Sequence, residues 1–137
     1  LSSALQSAAL RGVDVTLVLP ERSNLRYLDW ACRRWLRPLV ARGVKVLLQP
    51  PPFAHTKLLV MDGRYAQIGS ANLDPRSLRL NFEIALEVYD PATCRRLSEY
   101  IIQARDRSTP LTGAMIASLG LWARARNSLF WLLSPYL

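Results

Sequence analysis

The chain has 137 residues, half of them hydrophobic and a fifth charged, a size and balance that suit one folded domain with a real core and exclude a disordered tail. Sixteen arginines and two lysines against ten acids leave a net charge of +8, which favours anionic partners: nucleic acid, an anionic membrane surface or a phosphate-bearing substrate. A GC-rich genome also yields arginine-rich proteins, so charge alone does not choose among these.

Leu1 stands where Met would open a complete chain, and the first residues read like mid-domain sequence; a piece of a longer polypeptide is expected. Residues 1–11 read as the end of an amphipathic helix, with Gly12 in the C′ position. The β-branched run at 13–19, bounded by Gly12 and Pro20, predicts a buried strand. Residues 25–41 predict a helix capped by Ser23 or Asn24 and stopped by Gly43, with a kink or break at Pro38. A short strand follows at 44–48, then the stiff connector Pro50-Pro51-Pro52.

Residues 55–61 predict a strand that ends at Asp62-Gly63, a strong turn signal, with 65–68 as its hairpin partner. The alternation of residues 81–89 predicts a further strand, and 91–105 a helix capped by Asp90 with Pro91 in its first turn. The fold class is therefore α/β, a mixed sheet flanked by helices. Residues 1–110 are expected to form the lobe and residues 111–137 an apolar, aromatic and basic extension. In that extension Trp122, Trp131 and Tyr136 with Arg124 and Arg126 fit either an interfacial anchor or an ordinary packing helix. Trp30 and Trp35 leave the same two options open. Cys32 and Cys94 fall in separate predicted helices without metal-ligand spacing, so a structural zinc site is not expected, and a reducing compartment is.

The chemistry concentrates between residues 55 and 83. The only histidine, His55, stands two residues before Lys57, and side chains two apart on a strand share a face. Ser70 and Asn72 repeat that spacing after the second strand. Side by side, the two strands would set an imidazole, an ammonium, a hydroxyl and an amide around one phosphate-sized volume. Blander readings are a structural histidine, two turn residues at Ser70 and Asn72, and a surface carboxylate at Glu83. Arg76 and Arg79 fit a lipid-phosphate contact or a solvated role equally.

The spacing His55-x-Lys57, four residues, Asp62, six residues, Gly69-Ser70-x-Asn72 resembles the HKD signature of the phospholipase D superfamily at every fixed position. The segment GSANLDPRS followed by NFE looks like bacterial cardiolipin synthases in particular. The resemblance implies a single phospholipase D-like lobe, of the kind that forms one active site from two such motifs. It implies His55 as nucleophile or acid/base, Lys57, Ser70 and Asn72 as phosphate holders, and Glu83 as the partner that fixes an imidazole tautomer. Asp62 and Gly69 are read as structural, and the resemblance implies neither a metal nor another cofactor. The implied activity is phosphatidyl transfer through a covalent phosphohistidine, with a phosphatidylglycerol-like phospholipid as substrate. The implied partner is a second HKD lobe, in the same chain or a homodimer, at the bacterial cytoplasmic membrane as a peripheral protein. The alternatives are a phospholipase D or metal-independent phosphodiesterase acting on nucleic acid, and a non-catalytic module that binds anionic lipid or a partner lobe.

Overall fold

The computed structural model describes residues 1–22, 35–72, 81–117 and 122. It is α/β with helices flanking its sheets, as expected, and its strands pair as two three-stranded sheets in two compact units. The first unit takes in Leu1–Phe53 and the residues from Ser108 on; the second is Ala54–Arg107. The boundary falls directly after the prolyl connector.

In the first unit, helix α1 (Ser2–Leu10) leads to strand β1 (Thr16–Pro20), and a helix seen over residues 35–41, α2, leads to β2 (Lys45–Gln49). Both helices stop in the same way. Gly12 N–H donates to the Ala9 carbonyl and Val13 N–H to Ala8, while Gly43 N–H donates to Val40 and Val44 N–H to Leu39. That pair of bonds satisfies the last carbonyls of a helix and turns the chain back toward the core. β1 and β2 run parallel from Thr16–Lys45 to Pro20–Gln49. The break foreseen at Pro38 does not occur within residues 35–41, which stay helical throughout. The amide that Pro38 lacks would have bonded to residue 34, which lies outside the described residues.

Leu36, Leu39, Val44 and Val46 form the buried core of this unit, with Leu5, Ala9, Leu17, Leu19 and Leu111 packed against it. The predicted strand at 13–19 begins three residues later than expected, because Val13 is spent on the helix stop. One element was not foreseen, a strand at 109–110, and a short helix opens the expected extension. Strand β6 (Thr109–Pro110) pairs antiparallel with β2, and α4 (Gly113–Ala117) follows it. Of the expected extension, residues 118–121 and 123–137 lie outside the described residues, as do Cys32, Trp30, the caps at 23–24 and Arg76 and Arg79. Among the described residues, no helix is long and apolar enough to cross a membrane.

The second unit is an antiparallel sheet, β3 (Leu58–Met61), β4 (Tyr65–Gly69) and β5 (Ala85–Val88), covered on one face by α3 (Pro91–Asp106). The hairpin turns where the sequence predicts. Asp62 and Gly63 sit at φ 51 and 62, and Arg64 N–H donates to the Met61 carbonyl at 3.0 Å. Positive φ at both central positions gives the twist that antiparallel strands need, and Asp-Gly is among the few pairs that adopt it without large strain. Ala66 and Cys94 are fully buried between sheet and helix, and the Cys94 thiol donates to the Val88 carbonyl at 3.4 Å. Asp90 caps α3, accepting from the Thr93 amide at 2.8 Å and the Thr93 hydroxyl at 2.7 Å.

Two of the expected strands are shorter than foreseen. The ladder between β3 and β4 opens at Leu58–Ile68, so His55 and Lys57 precede it instead of sitting within a strand. Likewise 81–89 contributes only Ala85–Val88, because β4, its partner, runs out at Gly69. Strand length is a property of the pair, and the shorter member decides it.

On the face away from α3, the Glu87 carboxylate accepts from Tyr65 at 2.9 Å and Tyr89 at 2.8 Å, and the two rings meet edge to face at 5.4 Å. The Tyr89 and Tyr65 hydroxyls hold the Glu87 carboxyl below its ordinary 4.5, and the Thr93 bonds hold Asp90 below 3.8. Hydrogen bonding to Glu87 raises both tyrosines above 10.0. A carboxylate with a lowered folded pKa adds stability above its unfolded value and loses it as pH falls through the folded one. A phenol with a raised pKa adds stability below its unfolded value and loses it as pH rises. The melting temperature is therefore expected to hold level near neutrality, to fall on the acid side from about pH 4 to 5 and on the alkaline side from about pH 10. Glu87→Gln should flatten both limbs in thermal melts across that range; unchanged limbs would remove the cluster as their source.

Candidate active site

All five candidate side chains, His55, Lys57, Ser70, Asn72 and Glu83, belong to the second unit. The segment before β3 carries the first two. Lys57 Nζ lies 2.8 Å from His55 Nε2 and 3.1 Å from the His55 carbonyl oxygen. An ammonium can only donate, so Nε2 accepts and the ring proton falls on Nδ1. That leaves Nε2 as the imidazole's nucleophilic atom, with a cation beside it.

The second group forms where β4 ends and the chain approaches β5. Ser70 Oγ donates to the Glu83 carboxylate in a short hydrogen bond and accepts from the Ile84 amide at 3.0 Å. Asn81 Nδ2 makes a longer contact to the other Glu83 oxygen at 3.4 Å. Backbone joins the two groups. Gly69 N–H donates to the Lys57 carbonyl at 3.0 Å, and Ser70 N–H to the Ile84 carbonyl at 3.0 Å. Three strand ends thus meet at one edge of the sheet, with the His55–Lys57 pair and the Ser70–Glu83 pair on successive residues of the same hydrogen-bonded register.

Gly69 makes the crossing tight. A Cβ there would stand 2.9 Å from the Ile84 carbonyl oxygen, closer than a side chain and backbone can settle. His55, Ser70, Asn72 and Glu83 are exposed and Lys57 half-buried, so an anion has access to the donors. Asp62 lies in the hairpin turn, at the far end of β3 from His55.

Three participants were not visible in the sequence. Asn81 touches Glu83 from two residues away, the same spacing that signalled His55 and Lys57. The Ile84 amide fixes the Ser70 oxygen, a backbone role without a residue signature. Thr56 Oγ1 meets the Tyr100 hydroxyl at 3.1 Å across 44 residues, a distance no local pattern spans. Among the described residues, no group of three His, Cys, Asp or Glu side chains could hold a metal ion. The structure brings an imidazole nitrogen, a cation and a carboxylate-bound hydroxyl to adjacent strand ends, groups that phosphoryl transfer by a nitrogen nucleophile can use, while Asn72 is exposed two residues beyond Ser70.

The fold is that of the phospholipase D family. The chain superposes on the crystal structure of Nuc from Salmonella typhimurium, a phospholipase D family member, with a TM-score of 0.72, covering 81% of this chain and 72% of that one at 23% identity. The family model described as cardiolipin synthase, PLD-like domain, matches residues 1–105, and the chain belongs to that family. It is 36% identical over 134 residues to a cardiolipin synthase of Staphylococcus aureus strain N315, covering 98% of this chain and 27% of the relative. A cardiolipin synthase of Listeria welshimeri is 34% identical over 137 residues, the whole of this chain and 28% of the relative. The chain therefore spans little more than a quarter of the length of the curated relatives it matches.

Proposed function

We propose that this chain supplies one half of a phosphatidyl-transfer site of the cardiolipin synthase type. The observation that carries the reading is the His55 Nε2–Lys57 Nζ pair at 2.8 Å, tied through Gly69 to Ser70 and Glu83, in a chain similar along its whole length to cardiolipin synthases. Lys57, Ser70 and Asn72 take the non-bridging oxygens of a phospholipid phosphodiester. Lys57 turns from the imidazole to phosphate as the anion arrives, and this frees Nε2. Ser70 exchanges Glu83 for a phosphate oxygen, and the released carboxylate becomes available to an imidazole N–H.

In the first step, Nε2 of one histidine forms a P–N bond as the bond from phosphorus to the head-group glycerol oxygen breaks. A second histidine protonates the departing glycerol. In the second step, that same histidine takes the proton from the hydroxyl of another phosphatidylglycerol, whose oxygen attacks phosphorus and breaks the P–N bond. Cardiolipin and glycerol are the products. One imidazole cannot be bonded to phosphorus and deliver a proton to the leaving oxygen together, so a second lobe is required, in the same polypeptide or a second copy. Supporting that partner, Phe82 and Ile84, in the segment that leads into β5, and Leu86, on β5 itself at the edge of the sheet, are exposed beside Glu83. The net charge of +8 supports a peripheral place on the anionic cytoplasmic membrane.

Phosphatidylglycerol vesicles incubated with the full-length protein without added metal should yield cardiolipin and glycerol by mass spectrometry. Phosphatidic acid alone would make the protein a hydrolase and sink the transferase reading. Cleavage of plasmid DNA with no lipid product would favour a nuclease.

A further inference from the structure

We propose that Tyr100 is a positioning residue for this half-site, acting through Thr56 on the histidine-bearing segment; the inference rests on the reading of His55 as a reacting group. Thr56 stands between His55 and Lys57. Those two side chains touch, which leaves Thr56 turned to the opposite side of the segment. There its hydroxyl meets Tyr100 Oη at 3.1 Å.

Tyr100 is carried by α3, a helix of 16 residues capped by Asp90 and seated on the sheet through buried Cys94. The Tyr100 ring, half-exposed, lines an open cavity of about 200 Å³ together with Thr56, Leu58, Ile68 and Leu97, so the hydroxyl is presented from a regular element beside the segment. The segment it holds lies ahead of the β3–β4 ladder, whose first pair is Leu58–Ile68. Sheet pairing therefore does not set the direction of residues 55 and 56, and a side-chain tie to the helix can. Catalytic groups work when held within a fraction of an ångström, and a misplacement of about 1 Å can cost on the order of a hundredfold in rate. Tyr100 touches neither substrate nor the reacting nitrogen. Its contribution is to fix the backbone from which the imidazole and the ammonium project.

Three variants of the full-length protein test this: Tyr100→Phe, which keeps the ring, Thr56→Val, which keeps the shape, and Thr56→Ser, which keeps the hydroxyl. With bis(p-nitrophenyl) phosphate as a lipid-free phosphodiester, Tyr100→Phe and Thr56→Val should each lower kcat by about tenfold with KM little changed, and the double variant should be no worse than either. Thr56→Ser should stay near the unaltered protein. In histidine-labelled NMR spectra of the full-length protein, the His55 ring signals are identified as those that vanish in His55→Ala. They should shift in Tyr100→Phe and Thr56→Val while the melting temperature holds. Unchanged kcat in both variants, additive losses, unmoved ring signals, or a loss of rate that tracks a lower melting temperature would each overturn the proposal. Were the unaltered protein to turn over no phosphodiester at all, the functional reading would fall, and the ring signals would still decide this inference.

Discussion

His55→Ala in the full-length protein is expected to remove phosphatidyl transfer almost entirely, by about four orders of magnitude or more in kcat. Alanine deletes the atom that bonds to phosphorus or the atom that moves the proton, and neither Lys57 nor Ser70 can take over. Lysine is protonated and donates, and the Ser70 hydroxyl is held by the Glu83 carboxylate, too weak a base to turn an alcohol into a nucleophile that replaces an imidazole. Little should happen to stability, because the imidazole is exposed and its bond to Lys57 lies at the surface. Substrate turnover and thermal melting of the same preparation separate these outcomes. Retention of a tenth or more of the activity (an order-of-magnitude threshold) in a folded variant would end the assignment of His55 to the chemistry. It would leave a module that binds anionic lipid or a partner lobe as the surviving account.

Much of the architecture was legible because its signals are local. Gly12 and Gly43 marked helix ends where the chain does turn back, Asp62-Gly63 marked the hairpin, and Asp90-Pro91 marked the start of α3 to the residue. What was not legible depends on partners distant in sequence. The ladder opens at Leu58, opposite Ile68 and one residue before β4 ends, and nothing in the run from 55 to 61 says so. Strand β6 has two residues and exists because β2 offers it an edge. The nearness of His55 and Lys57 followed from their spacing. The engagement of Ser70 by Glu83 did not, since it needs β4 and β5 in register and one residue beyond. That bond also changes the chemistry read from residue types alone, because a serine taken as a ready phosphate donor already has its hydrogen placed elsewhere.

Gly69→Ala follows from that last point and carries the second large effect. The new methyl would meet the Ile84 carbonyl oxygen at 2.9 Å, a backbone atom, so the neighbour cannot swing aside as a flexible side chain would. Relief must come from spreading β4 from β5 at Gly69–Ala85, the last pair of that ladder. Ser70 is the next residue, and its amide and its Oγ both bond Ile84, so the spreading acts directly on the link that holds Ser70 against Glu83. It acts as well on the Gly69 amide that ties Lys57. Overpacking of this kind costs about 1–3 kcal/mol, within what a folded domain tolerates, whereas a shift of about 1 Å at the phosphate donors can cost on the order of a hundredfold in rate. The variant should therefore fold, melt somewhat lower and lose most of its turnover. Gly113→Ala provides the contrast, for a Cβ at Gly113 meets nothing within 4 Å, and that variant should keep both stability and activity. If Gly69→Ala were as active as Gly113→Ala, the close crossing of β4 and β5 would not be what positions Ser70, and the site would have to be held together from elsewhere.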